Sequence, residues 1–354
     1  MIKIDSMIAE TAQKIYTDLC PREVVHAAET GTYPAALWDA LSENGLPVAW
    51  AGEDNGGFGA DYGDVFGAIW ASAQAPSPVP FAETLVANWL LDRAGLPVAN
   101  GAAGFAIVPE NGADTARANS MSKGYLSIAF AEQVDHIVIF DEKSASIAMF
   151  DAHALECITP PHLSPDGEGH FDLAAAKPLI SAPTNMPRRA AEAVILTIRA
   201  VQMAAAMESA LNLTIEYVSA REQFGRALSK FQAIQHQLAL AASEIAAATM
   251  AATQAAYSLA KHHQNPEKAW HEAVVAKVQI GHSTEQVTVP LHQSHGAIGY
   301  TQEYDLHHYT RRLWAWRDAL GNEHHWSAQL GEAAAALSPD QLWKGVTNGE
   351  WQDS

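Results

Sequence analysis

Apolar positions along this chain change their spacing twice, from helical to alternating and back to helical. In "YPAALWDALSENGL", Leu37, Leu41 and Leu46 predict a helix that starts at Pro34 and stops near Gly45. "SPVPFAETLVANWLLDRAG" predicts another, opened by two prolines and stopped by Gly95. Between them lies "EDNGGFGADYG", a loop in which Gly56, Gly57 and Gly59 permit backbone angles closed to other residues. From about residue 101 to 185 the runs shorten to "GFAIVP", "GYLSIAF", "HIVIF" and "SIAMF", β-branched or aromatic and separated by charged or glycine-bearing turns. Pro160, Pro161, Pro165 and Gly167 punctuate the later part, and a compact, mostly antiparallel β domain is expected.

From Arg188 onward the helical period returns in long stretches. Leu211, Ile215 and Val218 recur before Gly225, as do Phe231, Ile234, Leu238 and Ile245 after it. A helix from Arg188 to Val218 would span ~45 Å at a rise of ~1.5 Å per residue. "PEKAWHEAVVAKVQIGHSTEQVTVPLHQ" reads as a third helix with Pro266 in its first turn. The alanine-rich stretch 239–260 keeps the helical period. The fold class is therefore α+β: residues 1–100 an N-terminal helical domain, 101–185 a middle β domain, and 186–354 a C-terminal helical bundle.

Composition narrows the function classes. The 354 residues are 48% hydrophobic, enough for a sizeable core. No stretch approaches the ~20 uninterrupted apolar residues of a membrane span, and the N-terminus carries acids early, so neither a membrane nor a signal peptide is expected. Cys20 and Cys157 supply no disulfide framework and no metal-ligand spacing, as in a reducing cytosol. The formal net charge of −19 argues against nucleic acid, whose binding needs clustered Lys and Arg. A few local arginines could still hold an anionic cofactor. A cytoplasmic protein is expected.

Several common motifs are missing. A carboxylate-bridged di-iron site needs two Glu-x-x-His pairs, and only Glu23 with His26 fits. No His-Glu-x-x-His, phosphate-binding P-loop, G-x-S-x-G or G-x-G-x-x-G is present. "GGFGADYG" approaches the last, but Tyr62 stands at the third glycine and no strand precedes it. The doublets His262–His263, His307–His308 and His324–His325 point their rings about 100° apart on a helix, which makes poor chelates; solvated faces are expected for them. No metal is expected.

One stretch asks for a ligand. In "YVSAREQFGRALSKFQAIQHQLA", 217 to 239, a single glycine interrupts two helical runs while arginines and glutamines crowd the break. "REQFG" followed by "FQAIQHQLA", then "QSHGAIGYTQEYDL" (293 to 306), and "AGEDNGGFGA" (51 to 60) near the N-terminus, together resemble the acyl-CoA dehydrogenase family in order and spacing. In the last of these, Gly52 stands where the family's loop has proline. The resemblance covers essentially the whole chain and implies that family's helix–sheet–helix fold, FAD lying between subunits, and desaturation of an acyl-CoA thioester with electrons passed to an acceptor flavoprotein. It assigns Arg221 to the flavin pyrophosphate, through charge-assisted bonds worth roughly 1.5 to 3 kcal/mol each. Gly225 would let the chain turn close to that phosphate. Gln223, Phe224, Phe231 and Gln232 would supply amide and apolar contacts around it, and Gln293 with the Gly296 turn would face the adenosine. The alternative use of Arg221 is an ion pair with Glu222 or another acid at a helix end.

The chain departs from the family at the reactive end. The family's proton-abstracting glutamate stands at one of two places, which correspond here to Ile195 and Leu320. Neither can take a proton, so no catalytic residue is assigned. Glu192 and Glu323 each lie three residues away and would have to act from a displaced position. In the strands "AIVPENGADTA" and "GYLSIAFAEQ" the hydroxyl donors and ring-stacking aromatic that the family sets against the flavin ring are missing or displaced. Some family members, including those that shorten steroid side chains, are hetero-oligomers in which one subunit supplies the base and the other lends adenosine and pyrophosphate contacts. "HHYTRRLWAWRDALG" (307 to 321) and "SPVPFAETLVANWLL" resemble such steroid-type subunits, so a related base-bearing subunit is the expected partner. A self-contained FAD enzyme with a relocated glutamate and a cofactor-free scaffold with this fold are the alternatives.

Overall fold

The computed structural model describes residues 2–108, 125–160, 164, 166–173, 176–349 and 351. The chain divides into two compact units, Lys3–Ala191 and Glu192 onward together with the first two residues.

In the first unit, helices α1 (Met7–Leu19), α2 (Arg22–Glu29) and α3 (Ala35–Glu43) are followed by α4 (Tyr62–Gln74) and α5 (Phe81–Arg93). Helix α3 begins after Pro34 and ends before Gly45, which adopts φ 66°. Leu37 and Leu41 are buried on α3, whereas Leu46, expected on the same helix, lies past Gly45 in a separate 3₁₀ turn and is buried there. The glycine-rich loop uses its glycines in two ways. Gly56 and Gly59 take positive φ, whereas Gly57 is needed for close approach, because a Cβ there would overlap the Ala51 carbonyl. Asp92 secures this loop by accepting from the Gly52 N–H and the Asn55 amide, each at 2.9 Å.

Helix α5 is buried almost throughout and meets the strands through a hydroxyl. Thr84 Oγ1 accepts from the Ala103 N–H at 3.0 Å. Strands β1 (Ala103–Ile107), β2 (Tyr125–Ile128), β3 (His136–Asp141), β4 (Ser146–Asp151), β5 (Cys157–Ile158), β6 (Gly169–Asp172) and β7 (Ile180–Pro183) form two sheets. Their orders are β1-β3-β4-β7 and β2-β6-β5. All described pairings are antiparallel except β1 with β3, where Ala103 faces His136. Ile128, Phe130, Val134, Ile137 and Phe171 form the core between the strands. The segment 109–124, which holds most of "AIVPENGADTA", lies outside the described residues.

The second unit is helical, and α6 (Arg188–Ala220) enters it after its first four residues, which belong to the first unit. Beyond α6 it contains a hairpin of β8 (Glu222–Gln223) and β9 (Arg226–Ala227), α7 (Gln232–Lys261), α8 (Trp270–His295), α9 (Leu306–Asp318), α10 (Glu323–Ala335) and α11 (Pro339–Asn348). Helix α6 is long and apolar enough to cross a membrane by length and composition, but 94% of its apolar window is buried inside the protein. It is a core helix. Pro266 opens a 3₁₀ turn rather than the first turn of α8, which begins four residues later at Trp270.

Candidate functional site

The break between α6 and α7 is a hairpin. The Arg221 N–H closes the end of α6 on Tyr217 O at 2.9 Å, and the Leu228 N–H bonds Arg221 O at 2.8 Å across the hairpin. Phe224 and Gly225 are the two turn residues, at φ 53° and 79°. Two successive positive φ values make the tight connection that matches strand twist. Glycine enters it freely, but phenylalanine does so at a cost of roughly 1–2 kcal/mol. Strain of this kind concentrates where a side chain must be held in a given place. The strain here presents Phe224 to water, 92% exposed, with its ring edge-on to Phe231 at 6.3 Å. The Arg226 guanidinium lies 4.0 Å over the Phe231 ring. Arg221, Gln223 and Gln232 are exposed, and Arg221 forms no ion pair among the described residues. The helix-end ion pair considered as its alternative use is not made among the described residues.

Gln293 and Gly296 lie at the end of α8 and are exposed. Gly296 has φ 67° and ψ −146°, a conformation essentially confined to glycine, and the space where a Cβ would project is open. The turn is anchored by two buried histidines that sequence reading missed. His292 bonds Thr310 Oγ1 through Nε2 at 2.8 Å and stacks on Tyr300 at 4.1 Å. His295 donates Nδ1–H to Leu291 O at 2.9 Å and stacks on Tyr217 at 4.4 Å. Tyr217 is also the residue on which the Arg221 backbone closes, so this stack ties the Gly296 turn to the base of the hairpin. Burial pushes the His292 pKa down to about 4 and lowers that of His295 as well. His307 and His308 correct an expectation. They are 8% and 1% exposed rather than on a solvated face, because Leu306, Leu313 and Trp316 turn that side of α9 inward.

The two positions that the resemblance assigns to the family's base differ in their surroundings: Ile195 is buried and Leu320 is exposed. Ile195 stands on α6, and Leu320 sits at φ 60° beside Gly321 at φ 92° in the turn after α9. That turn is fixed from two sides. Trp326 Nε1 donates to Leu320 O at 2.9 Å, and the fully buried Lys277 donates Nζ to Trp316 O and Arg317 O, each at 2.7 Å. The neighbouring acids are engaged. Glu323 pairs with Arg317, whose guanidinium holds the carboxyl below its usual range. Glu192 accepts from the Trp270 indole at 2.8 Å.

Residues 197–331 match the family described as acyl-CoA dehydrogenase, C-terminal domain. The acyl-CoA dehydrogenase IpdE2 of Mycobacterium tuberculosis is 24% identical over 98% of this chain and 97% of its own length. The acyl-CoA dehydrogenase FadE34 of the same organism is 26% identical over 86% of this chain, which spans only 43% of that longer protein. Among solved structures, a variant of the Tcur3481-Tcur3483 steroid ACAD superposes with a TM-score of 0.78 at 24% identity, over 92% of this chain and 96% of that one. The ChsE4-ChsE5 complex from Mycobacterium tuberculosis gives 0.79 at 16% identity, over 95% of this chain and all of that one.

Proposed function

We propose that this chain, which has the acyl-CoA dehydrogenase fold and carries that family's C-terminal domain, is the base-lacking subunit of a hetero-oligomeric acyl-CoA dehydrogenase. The observation that carries the reading is the pairing of an exposed, cation-bearing hairpin with an apolar base position: Arg221 is unpaired among the described residues, while Leu320 stands where the family's glutamate would. The retained end suits a nucleotide. Arg221, Gln223 and Gln232 present donors to solvent, Phe224 and Phe231 supply apolar surface, and Gln293 stands beside the open Gly296 turn. These residues fit the pyrophosphate and adenosine of FAD.

Within that assembly this chain's residues would bind and orient. Arg221 would neutralise phosphate charge, and the Phe224 turn would limit water around it. FAD, when bound, supplies the acceptor for the hydride leaving the β-carbon. The proton from the α-carbon would go to a glutamate of the partner subunit, because Glu323 is held by Arg317 and Glu192 by Trp270. Steroid-derived acyl-CoA thioesters are the substrate class we favour, supported by the name of the Tcur3481-Tcur3483 structure and by the α5 and α9 segments. An electron-transferring flavoprotein would take the electrons, and a cytoplasmic location accompanies such a role.

Co-expression with a base-bearing acyl-CoA dehydrogenase subunit tests this. The chain alone should purify colourless and inactive, and the pair should be yellow and desaturate an acyl-CoA. A yellow, active chain without any second subunit would overturn the reading.

A further inference from the structure

The hairpin places a second arginine beside the first. Gln223 pairs with Arg226 across the ladder, and Glu222 with Ala227. Paired residues on an antiparallel ladder project to one face, and so do residues two apart on one strand. Arg226 therefore shares a face with Gln223, while Glu222 takes the opposite face. Arg221 stands just before β8 and continues the ladder through its carbonyl, which accepts from the Leu228 N–H, so its position lies diagonal to that of Arg226. Diagonal neighbours on such a face lie within about 7–8 Å, which lets two arginine forks close on adjacent groups of one ligand.

Arg226 is exposed and, like Arg221, has no ion pair among the described residues. Two unpaired like charges at diagonal positions of a two-stranded hairpin repel each other. They do so in a chain where acidic residues outnumber basic ones 40 to 21, so carboxylates to neutralise them are abundant elsewhere. Leaving both free suits a site whose counter-ion is a ligand. The Phe231 ring beneath the Arg226 guanidinium fixes the plane of its fork, so less side-chain freedom is lost on binding.

We propose that Arg226 is a second phosphate contact: Arg221 and Arg226 together clamp a dinucleotide's pyrophosphate, one guanidinium to each phosphate, with Phe231 orienting the second. The proposal rests on the hairpin being the flavin-nucleotide site. Phe231 then acts through Arg226 as well as by direct apolar contact.

Calorimetric titration of the full-length chain with ADP, AMP and adenosine separates the two ideas. ADP should bind more tightly than AMP, and AMP more tightly than adenosine. Arg221→Ala and Arg226→Ala should each weaken ADP by about 10- to 100-fold, the size of one lost charge-assisted contact, and leave adenosine within about twofold. Arg226→Lys keeps the charge without the stacked fork and should recover only part of the loss. Both sites are exposed, and unchanged far-ultraviolet circular dichroism would show the variants folded. If Arg221→Ala weakens ADP and Arg226→Ala does not, the second contact is wrong while the nucleotide site stands. If neither variant changes ADP binding, or the wild type does not prefer ADP to adenosine, the hairpin is not a pyrophosphate site and both ideas fall.

Discussion

Arg317 donates to both carboxylate oxygens of Glu323, Nε to Oε2 at 2.9 Å and Nη2 to Oε1. Glu323 also packs against α8 where Gly281 leaves room, since a Cβ on that glycine would come 2.9 Å from the glutamate Cβ. Glu323, three residues after Leu320, thus joins α10 to α9 and α8. A general base needs a free lone pair and a pKa near the working pH, and this pair opposes both.

Glu323→Gln should accordingly act on stability more than on chemistry. The pair is largely shielded, with side chains 24% and 12% exposed, and losing a bidentate charged contact there should cost about 1–3 kcal/mol. Urea denaturation checks this. In a reconstituted enzyme, Glu323→Gln and Glu192→Gln should each change turnover by less than about tenfold, where removing a true base costs about 10²- to 10⁴-fold.

Replacing Leu320 with glutamate should not create an active single subunit. Its backbone at φ 60° and the Trp326 bond to its carbonyl fix where the new side chain can start. A base contributes only when flavin and thioester are already in register with it. Acyl-CoA oxidation by the purified variant with FAD should stay within about tenfold of the background rate.

Lys277 predicts an alkaline gain in stability. Burial lowers its pKa to about 7 from the ordinary 10.5, so between these values the unfolded chain binds a proton that the folded chain does not. Stability should rise as the pH climbs through that window. Lys277→Met should flatten the rise, and Lys277→Ala should lose about 2–5 kcal/mol by opening a cavity and stranding the two carbonyls at the end of α9. Unfolding midpoints measured from neutral to alkaline pH would show both effects.

His292 predicts the opposite limb. Its folded pKa of about 4 lies below the ordinary 6.5, so the neutral form is favoured in the fold. The stability this contributes is present above about 6.5 and is lost as pH falls toward 4, and His295, shifted in the same direction, adds to it. His292→Phe should keep the stack on Tyr300 yet make the acid limb shallower.

Helix α7 should pack against another subunit. Leu240 and Met250 are each 67% exposed, while Ala241, Ala248 and Ala252 fill its inward side. Surplus apolar surface on a helix is usually covered in an oligomer. Light scattering should show a dimer or larger assembly at micromolar concentration, and Leu240→Glu with Met250→Glu should shift it toward monomer.

Spacing along the chain was enough to place α3, α5, α6 and the strands β1 to β4, because helix and strand periods are local and Pro34, Gly45 and Gly95 mark their ends. Residue identity likewise marked Arg221 and the Gly225 break, because a glycine between two helical runs is a local signal, although whether Arg221 is ion-paired was left open. What a side chain meets over long separations could be decided only by the tertiary fold. Glu192 and Glu323 looked alike as displaced acids until Trp270 and Arg317 proved to hold them. His307–His308 looked solvated until the apolar side of α9 buried them, and nothing in the local pattern paired β1 with β3 in parallel. The Tyr217–His295 stack joins residues 78 apart, with no shared period to announce it. Local sequence sets the backbone's few soft torsions, whereas burial and partner depend on surfaces that exist only once distant segments have packed.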